Sequence, residues 1–308
     1  MNSECIMHAY SNYLIKFIMK LFAVIFILLL SLNVSVAGVF QIKDDENRMV
    51  SFSKPAVRII SLSPHATELL FSAGATDQIV ATVSYSDYPP QAKQIPRIGS
   101  YKKIDLESVV KIDPDLIVAW NSGGAEQQIQ DLKKLGYKIY FSEPRTFEDV
   151  ANNISNMGKI LGTESVARQS AGMYLDELAR LKLQYNNLET VRVFYQVWNK
   201  PLRTINNGHL ISSVIAFCGG HNVFGNLSIR APKVGIESVI EKNPEAIIIG
   251  MTENRKEWVE PWFQWPSIDA VRNKHVYNVN ADLIVRQGPR ILQGAKRVCE
   301  VLEKVRDR

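Results

Sequence analysis

An internal repeat constrains the fold of this 308-residue chain more than any other feature. Residues 104–120 read IDLESVVKIDPDLIVAW and residues 234–250 read VGIESVIEKNPEAIIIG, a gapless match at a separation of 130 positions. Each copy predicts a short helix, an acid-Pro or amide-Pro turn, and an apolar strand of a buried parallel sheet. The separation exceeds the period of roughly 20–50 residues that is typical of solenoids. The repeat favours two related α/β lobes, although two unrelated helix–turn–strand units could match by chance.

Composition and charge exclude several classes of protein. Hydrophobic residues make up 46% of the chain and charged residues 22%, values typical of globular proteins rather than of disordered or polytopic membrane chains. The net charge is +5, but Lys and Arg are scattered, with no run longer than pairs such as Lys102-Lys103. Nucleic-acid-binding proteins usually gather their positive charge on one face. We therefore expect no nucleic-acid partner.

The first 37 residues have the pattern of a cleaved signal peptide. Lys16 and Lys20 precede an apolar run from Leu21 to Leu32, and Ser35-Val36-Ala37 follows as a small-x-small cleavage site. The apolar run of about 12 residues is shorter than the roughly 20 that span a bilayer. The pattern therefore predicts an exported, periplasmic protein rather than one with a retained anchor.

Export changes how the cysteines are interpreted. Cys5 belongs to the predicted signal peptide, which leaves Cys218 and Cys299 in the mature chain. An even pair in an oxidising compartment indicates a disulfide. Two buried free thiols are the alternative that spacing alone leaves open.

From residue 57 onward the sequence alternates strands and helices, which is typical of parallel sheets covered by helices. We predict the α/β class, with two small parallel-sheet lobes joined by a rigid long helix and a ligand cleft between them. The predicted organisation is a signal peptide at 1–37, an N-terminal lobe at 38–145, connecting helices at 146–190 and a C-terminal lobe at 191–308. A helical stripe marks the connection, with members Val166, Ser170, Tyr174, Leu178, Leu181 and Tyr185.

The usual catalytic motifs are absent from the sequence. It has no Gly-x-Ser-x-Gly elbow, no Walker A motif and no Gly-x-Gly-x-x-Gly after a strand. His65, His209, His221 and His275 lack the spacing of a metal site. We therefore predict no catalytic residues, no resident metal or cofactor, and a protein that is not an enzyme. His65 lies at a strand-to-helix turn, where it could contact a ligand or cap the helix.

Aromatic residues follow several predicted strands: Tyr85, Tyr88, Tyr101, Trp120 and Trp198. Ligands of open α/β sheets bind beyond the carboxyl ends of the strands. Aromatic walls with a few polar groups are common in binding sites. Any one of these residues could instead be a core or surface residue, but several together favour ligand binding.

Five segments together resemble a known family: SLSP with TEL at 61–69, SYSDYPP at 84–90, DPDLIVAW at 113–120, CGG at 218–220 and PRIL at 289–292. They are similar to the cobalamin-binding branch of the class III periplasmic binding proteins, and the similarity covers the mature chain. The resemblance implies a monomer that captures cobalamin (vitamin B12) and delivers it to the membrane dimer and ATPase subunits of an ABC importer.

The resemblance also implies roles for individual residues. Cys218 and Cys299 match the family disulfide, and Glu107 and Glu237 match the acids, one per lobe, that pair with importer arginines. The implied cobalamin-binding residues are Tyr85, Tyr101, Trp120, Ala281, Asp282, Leu283, Ile284 and Val285.

Some positions depart from the family pattern. Tyr101 and Ala231 stand where related sequences have Trp, and the loop at 283–285 is less aromatic and less charged. Three arginines, Arg97, Arg286 and Arg290, could favour an anionic ligand, so a ferric siderophore or haem is the alternative cargo. A chelatase-like enzyme with the same layout is the alternative from another class, and the predicted signal peptide argues against it.

Overall fold

A computed structural model describes residues 38–252 and 255–307, so the predicted signal peptide at 1–37 lies outside the described residues. The described chain begins with an antiparallel hairpin of strands β1 (Phe40–Lys43) and β2 (Met49–Phe52). This hairpin was not predicted, because its strands are only four residues long. In the described part of the chain, no helix combines the length and hydropathy that crossing a membrane requires.

The first lobe is built on a four-stranded parallel sheet. In chain order its elements are β3 (Ile59–Ser61), α1 (Pro64–Ser72), β4 (Ile79–Ala81), the short antiparallel pair β5 (Gly99–Ser100) and β6 (Lys103–Ile104), α2 (Leu106–Ile112), β7 (Leu116–Ala119), α3 (Glu126–Lys134) and β8 (Ile139–Phe141). The strand order is β4-β3-β7-β8. As the sequence predicts, the Ser63 side chain caps α1 and Pro64 occupies its first turn, where a missing N–H costs nothing.

Two helices connect the sheets. A capping box of Thr146 and Asp149 begins α4 (Phe147–Leu161), and Gly162, with φ of 72°, ends it. The second helix, α5 (Glu164–Gln184), has 21 residues and is about 30 Å long. Its buried face differs from the predicted stripe at the start, because Val166 is 49% exposed. The buried residues are Ala167, Ala171, Tyr174, Leu178 and Leu181.

The second lobe repeats the plan of the first. Its elements are β9 (Val191–Gln196), α6 (Leu210–Phe217), β10 (Gly220–Asn222), α7 (Ile236–Lys242), β11 (Ala246–Gly250), α8 (Lys256–Val259), α9 (Asp269–Arg272), β12 (Val276–Val279), α10 (Ala281–Ile284) and α11 (Ile291–Arg306). All four strands are parallel, in the order β10-β9-β11-β12. The predicted α/β class, with two parallel sheets and a long connecting helix, is confirmed.

The two copies of the sequence repeat adopt the same local structure. Helices α2 and α7 each have seven residues, and each ends at a residue in the left-handed region, Asp113 or Asn243. An acidic side chain just before each following strand then accepts backbone N–H groups. Asp115 accepts from Arg58, and Glu245 accepts from Arg192. The repeat therefore reflects equivalent units rather than a chance match of letters.

One hydrophobic core extends across both lobes. It contains residues of the first sheet, the connecting helices, the second sheet and α11, among them Ile59, Val118, Leu178, Leu181, Val193, Ile248 and Val298. Two smaller clusters cover the other face of each sheet. Because close-packed side chains resist deformation, this shared core limits the relative movement of the lobes.

Candidate functional site

A cavity of about 440 Å³ lies between the lobes, beyond the carboxyl ends of β3, β7, β9 and β11. This is the position at which open parallel sheets bind ligands. The first lobe contributes Pro64, His65, Tyr85, Tyr101 and Trp120 to its wall. The second lobe contributes Val197, Trp198, Gly250, Met251, Thr252, Arg255, Trp258, Ala281, Asp282, Val285 and Arg286.

Six of the eight predicted cobalamin-binding residues lie in this wall: Tyr85, Tyr101, Trp120, Ala281, Asp282 and Val285. Leu283 and Ile284 lie elsewhere. Ile284 is fully buried in the shared core, and the Leu283 carbonyl packs against Gly294 of α11. The sequence predicts a loop here, but the segment forms the short helix α10, whose successive side chains point in different directions.

Trp120 is held from several sides. Its ring lies edge-on to the His65 ring, with 5.5 Å between centroids, and 6.0 Å from the Tyr101 ring. Gly123 lies against the indole so closely that an added Cβ would be 2.8 Å from Trp120 Cε3. A glycine at this position therefore allows the loop to fold back onto the indole.

Tyr85 is held over the cavity by an uncommon backbone conformation. Its φ is 68°, in the left-handed region that L-residues other than glycine rarely adopt. The side chain is 70% exposed although it is large and aromatic. Backbone strain of this kind tends to occur at functional sites, so Tyr85 is a good candidate for a ligand contact.

The second lobe adds an aromatic wall that the predicted set of binding residues omitted. The rings of Trp198 and Trp258 meet edge to face at 5.5 Å. The Asn199 side-chain amide donates to the Glu257 carbonyl, which ties the two loops together. Trp198 was recognisable as an aromatic residue after a strand. Trp258 was missed because it lies on α8, well beyond the end of β11, although the three tryptophans at 258, 262 and 265 were a visible signal.

The equivalent positions of the repeat differ inside the cavity. Trp120 follows β7, and its counterpart 130 positions later is Gly250 at the end of β11. The Tyr195 hydroxyl occupies the space that a side chain at Gly250 would need. The first lobe therefore presents an indole where the second presents bare backbone.

Two arginines beside the cavity, Arg286 and Arg290, are already paired with carboxylates. Arg286 donates to Asp87 at 2.7 Å, approaches Asp282 at 2.9 Å and reaches Glu68 at 3.3 Å. Arg290 forms two bonds to Glu68, at 2.7 and 2.9 Å. Burial alone would raise the pKa of Asp87, but the hydrogen bond and charge of Arg286 hold that pKa below its usual value. Three carboxylates thus face two guanidinium groups, and these pairs connect the lobes.

Arg97, the third arginine considered for an anionic ligand, lies outside the cavity wall. Its guanidinium group donates to the backbone carbonyls of Ser86, Ala92 and Ile95. It therefore stabilises the loop that carries Tyr85. None of the three arginines, Arg97, Arg286 and Arg290, therefore supports the alternative of an anionic ligand.

His65 is a buried, neutral part of the wall. Its Nε2–H donates to the Ser142 carbonyl at 3.0 Å. Burial disfavours the charged imidazolium and lowers the pKa of His65 to about 4. His65 therefore contributes a neutral ring at neutral pH.

Acidification is expected to destabilise the protein through His65. Its pKa is about 4 in the folded protein against an ordinary 6.5, so the unfolded chain binds more protons between these values. The contribution is therefore present above pH 6.5 and is lost as the pH falls towards 4. It amounts to about 3 kcal/mol of unfolding free energy. Urea titrations of wild type and His65→Gln at several pH values should show a weaker pH dependence in the variant.

His221, whose side chain is exposed, supplies the matched control, and His221→Gln should retain the wild-type pH dependence. Asp45 acts in the opposite sense, because burial raises its pKa to about 6 and its protonation favours the folded state. Because Asp45 is present in wild type and in both variants, its contribution cancels when the proteins are compared at the same pH. An identical pH dependence in His65→Gln and wild type would contradict the prediction.

The two acids predicted to face a transporter occupy equivalent places. Glu107 lies in the first turn of α2 and Glu237 in the first turn of α7, and both side chains are exposed. A carboxylate there also interacts favourably with the unpaired N–H groups of the helix. Their position is compatible with either a docking role or a purely helix-stabilising one.

The predicted disulfide is present in the structure. It joins Cys218, at the end of α6, to Cys299 in α11, with 4.7 Å between the Cα atoms. Both residues are fully buried in the shared core and neither lines the cavity. Within the described ranges, no group of three or more His, Cys, Asp or Glu side chains could hold a metal ion.

The chain belongs to the periplasmic binding protein family, whose model matches residues 59–283. This confirms the family that the sequence motifs predicted.

Its relatives define the branch of the family that it resembles. The chain is 38% identical to the vitamin B12-binding protein of Vibrio parahaemolyticus serotype O3:K6 over 255 residues, which are 82% of this chain and 92% of the relative. Its structure is similar to the crystal structure of the periplasmic vitamin B12 binding protein BtuF of Vibrio cholerae. That match has a TM-score of 0.78 and 36% identity, and it covers 82% of this chain and 99% of the other.

Proteins with other ligands share the fold. The periplasmic heme-binding protein RhuT from Roseiflexus sp. RS-1 superposes with a TM-score of 0.71 at 18% identity, covering 80% of this chain and 98% of that protein. At this identity the likeness concerns architecture alone.

Proposed function

We propose that this protein captures cobalamin in the interlobe cavity and delivers it to an ABC importer. The observation that carries the proposal is an aromatic cavity beside which Arg286 and Arg290 are paired with carboxylates of the protein itself. Its similarity to vitamin B12-binding relatives supports it. The protein would act as a periplasmic monomer after removal of the predicted signal peptide at 1–37.

The chemistry of the cavity suits a large macrocycle fringed with amides. Trp120, Tyr85 and Trp198 offer broad faces for stacking. The carboxylate of Asp282 and the Thr252 hydroxyl offer hydrogen bonds to amide groups. Such a ligand needs no net counter-charge from the protein, in agreement with the internally paired Arg286 and Arg290.

An anionic siderophore or haem would require positive charge, and Arg286 and Arg290 are already paired with carboxylates of the protein. To bind either ligand, Arg286 would have to exchange Asp87 and Asp282 for the ligand's carboxylates. Exchanging one buried ion pair for another contributes little net free energy to binding. A binding role rather than catalysis is also the role of the relatives, so a chelatase-like reaction has less support than cargo capture.

Titration of the purified mature protein with cyanocobalamin tests the proposal. We expect saturable binding at one site, measured by calorimetry and by a shift of the corrin absorption bands. Ferric siderophores and haem serve as competitors and should not displace the corrinoid. Binding of a siderophore or haem without binding of cyanocobalamin would overturn the assignment of the ligand.

Trp120→Ala is expected to weaken cyanocobalamin binding by about 1–3 kcal/mol, the usual cost of truncating an aromatic anchor. The indole lies at the end of β7, in contact with His65 and Tyr101. Calorimetry on the folded variant measures the change. Phe263→Ala is the control, because Phe263 is exposed and lies outside the cavity wall. Unchanged affinity in Trp120→Ala would make the residue structural.

We further propose that Glu107 and Glu237 dock the protein onto a two-fold symmetric membrane dimer of the importer. Exposed charges at the rim of a protein–protein interface speed the encounter of the two proteins and fix their relative orientation. Replacing both by Gln should leave folding and cyanocobalamin affinity nearly unchanged. It should sharply reduce binding to the reconstituted transporter and stimulation of its ATP hydrolysis.

Two other acids provide the matched control. Glu126 and Glu164 are also exposed and lie in the first turns of α3 and α5. Replacing both by Gln removes the same helix interactions from positions without the proposed role. The docking assignment is wrong if the Glu107/Glu237 variant stimulates the transporter as well as this control does.

A further inference from the structure

A buried carboxylate joins the lobes beside the turn that follows Trp120. Glu143 follows β8 of the first lobe, and its side chain is only 1% exposed. Its carboxylate forms an ion pair with Arg230, which belongs to the loop between β10 and α7 of the second lobe. The Ser122 hydroxyl donates to the same carboxylate oxygen at 2.7 Å. One carboxylate thus receives hydrogen bonds from both lobes.

Ser122 connects this cluster to the cavity wall. It lies in the single helical turn 121–123 that directly follows Trp120. Gly123, the next residue, packs against the indole, and its backbone N–H donates to the Trp120 carbonyl. A displacement of Ser122 would therefore move the turn on which the indole rests.

The burial of the Glu143 carboxylate determines how strongly its ion pair favours contact between the lobes. An uncompensated carboxylate in a protein interior is strongly unfavourable, and removing one partner of a buried pair costs more than the pair itself contributes. If the lobes separated at this edge, Glu143 would lose the guanidinium group of Arg230. The pair therefore favours the arrangement in which both lobes are in contact, with or without a ligand.

We infer that Arg230 is a positioning residue that acts through Glu143 and Ser122 to hold Trp120 in the cavity wall. It joins the lobes beside the turn that follows Trp120, while Arg286 and Arg290 join them through Glu68. The effect on ligand affinity rests on the proposed function. The effect on the turn at 121–123 does not, and it can be measured without a ligand.

Hydrogen exchange of the ligand-free protein tests the positioning directly. In Arg230→Met we expect faster exchange of the peptide that covers residues 120–125, because the Glu143 carboxylate and the Ser122 hydroxyl both lose the guanidinium group that donates to them. Arg230→Lys should restore part of the protection. Arg180→Met is the control, since Arg180 forms an exposed ion pair with Glu177 far along α5, and its loss should leave this peptide unchanged.

Arg230→Met leaves Glu143 buried without its cation and could fold poorly. The double variant Arg230→Met/Glu143→Gln removes both charges, and a Gln side chain can still accept from Ser122. We expect it to recover stability while residues 120–125 still exchange faster than in wild type. Wild-type protection of this peptide in the folded double variant would overturn the inference. A uniform rise in the exchange rate across the whole first lobe would also overturn the inference, because such a rise indicates general destabilisation.

Cyanocobalamin binding gives the second readout. We expect the double variant to bind about tenfold more weakly, chiefly through faster dissociation. An unchanged dissociation rate would show that Arg230 does not position the binding surface. If wild type itself fails to bind cyanocobalamin, the proposed function fails, and the exchange measurement alone decides the role of Arg230.

Discussion

Replacing Glu68 by Ala is expected to lower the free energy of unfolding by about 3–5 kcal/mol, the cost of leaving buried charges without their partner. Glu68 lies in α1 with a side chain that is 2% exposed, and it pairs with both Arg286 and Arg290. Arg290 would lose the carboxylate that accepts two of its hydrogen bonds, while Arg286 would retain Asp87 and Asp282. The variant should therefore unfold at a lower urea concentration.

Equilibrium urea unfolding, followed by circular dichroism, measures this change. Glu177→Ala is the matched control, because Glu177 forms an exposed pair with Arg180. An exposed pair contributes about 0–1 kcal/mol. Equal effects of the two substitutions would show that Glu68 contributes no more than a surface ion pair.

Removing the disulfide is the second large effect. The double substitution Cys218→Ala/Cys299→Ala is expected to lower the free energy of unfolding by about 4 kcal/mol on the chain-entropy estimate. The bridge closes a loop across a sequence separation of 81 residues and lies wholly within the core. Differential scanning calorimetry should show a clear drop in melting temperature. Reduced wild-type protein provides the control and should show a comparable drop.

The same variant should still bind the ligand. Cys218 and Cys299 lie outside the cavity wall, so titration with cyanocobalamin should give nearly the wild-type affinity at a temperature where the variant is folded. A large loss of affinity would mean that the bridge also shapes the cavity. A melting temperature equal to that of wild type would refute its stabilising role.

The architecture could be predicted from the sequence because it depends on patterns within short segments of the chain. The repeat, its apolar strands and the Ser63-Pro64 helix start each depend on residues close together in the chain. The elements that the sequence did not predict are those whose local sequence pattern is weak. The hairpin β1–β2 has four-residue strands, and α10 has a single turn inside a segment that was expected to be a loop.

The site was only partly predictable because its chemistry depends on distant partners. Trp120 and Tyr85 could be selected from their places after strands. By contrast, the sequence alone allows Arg286 to bind an anionic ligand, whereas the structure pairs it with Asp87 and Glu68, 199 and 218 positions away. Nothing in the local sequence around Arg286 indicates those partners. Chain topology alone brings them together.

The contrast between Trp120 and Gly250 has a consequence for delivery. On the outside, Glu107 and Glu237 occupy equivalent places in the repeat, so in the docking proposed above a two-fold symmetric membrane dimer would meet the same pair of acids after a half-turn of the protein. On the inside, the indole and the bare backbone make the two halves unlike. In the proposed docking, the two equally favourable positions would thus present the same side of one bound molecule to the pore but turned by half a revolution about the pore axis, and the importer would have to accept cargo in both orientations.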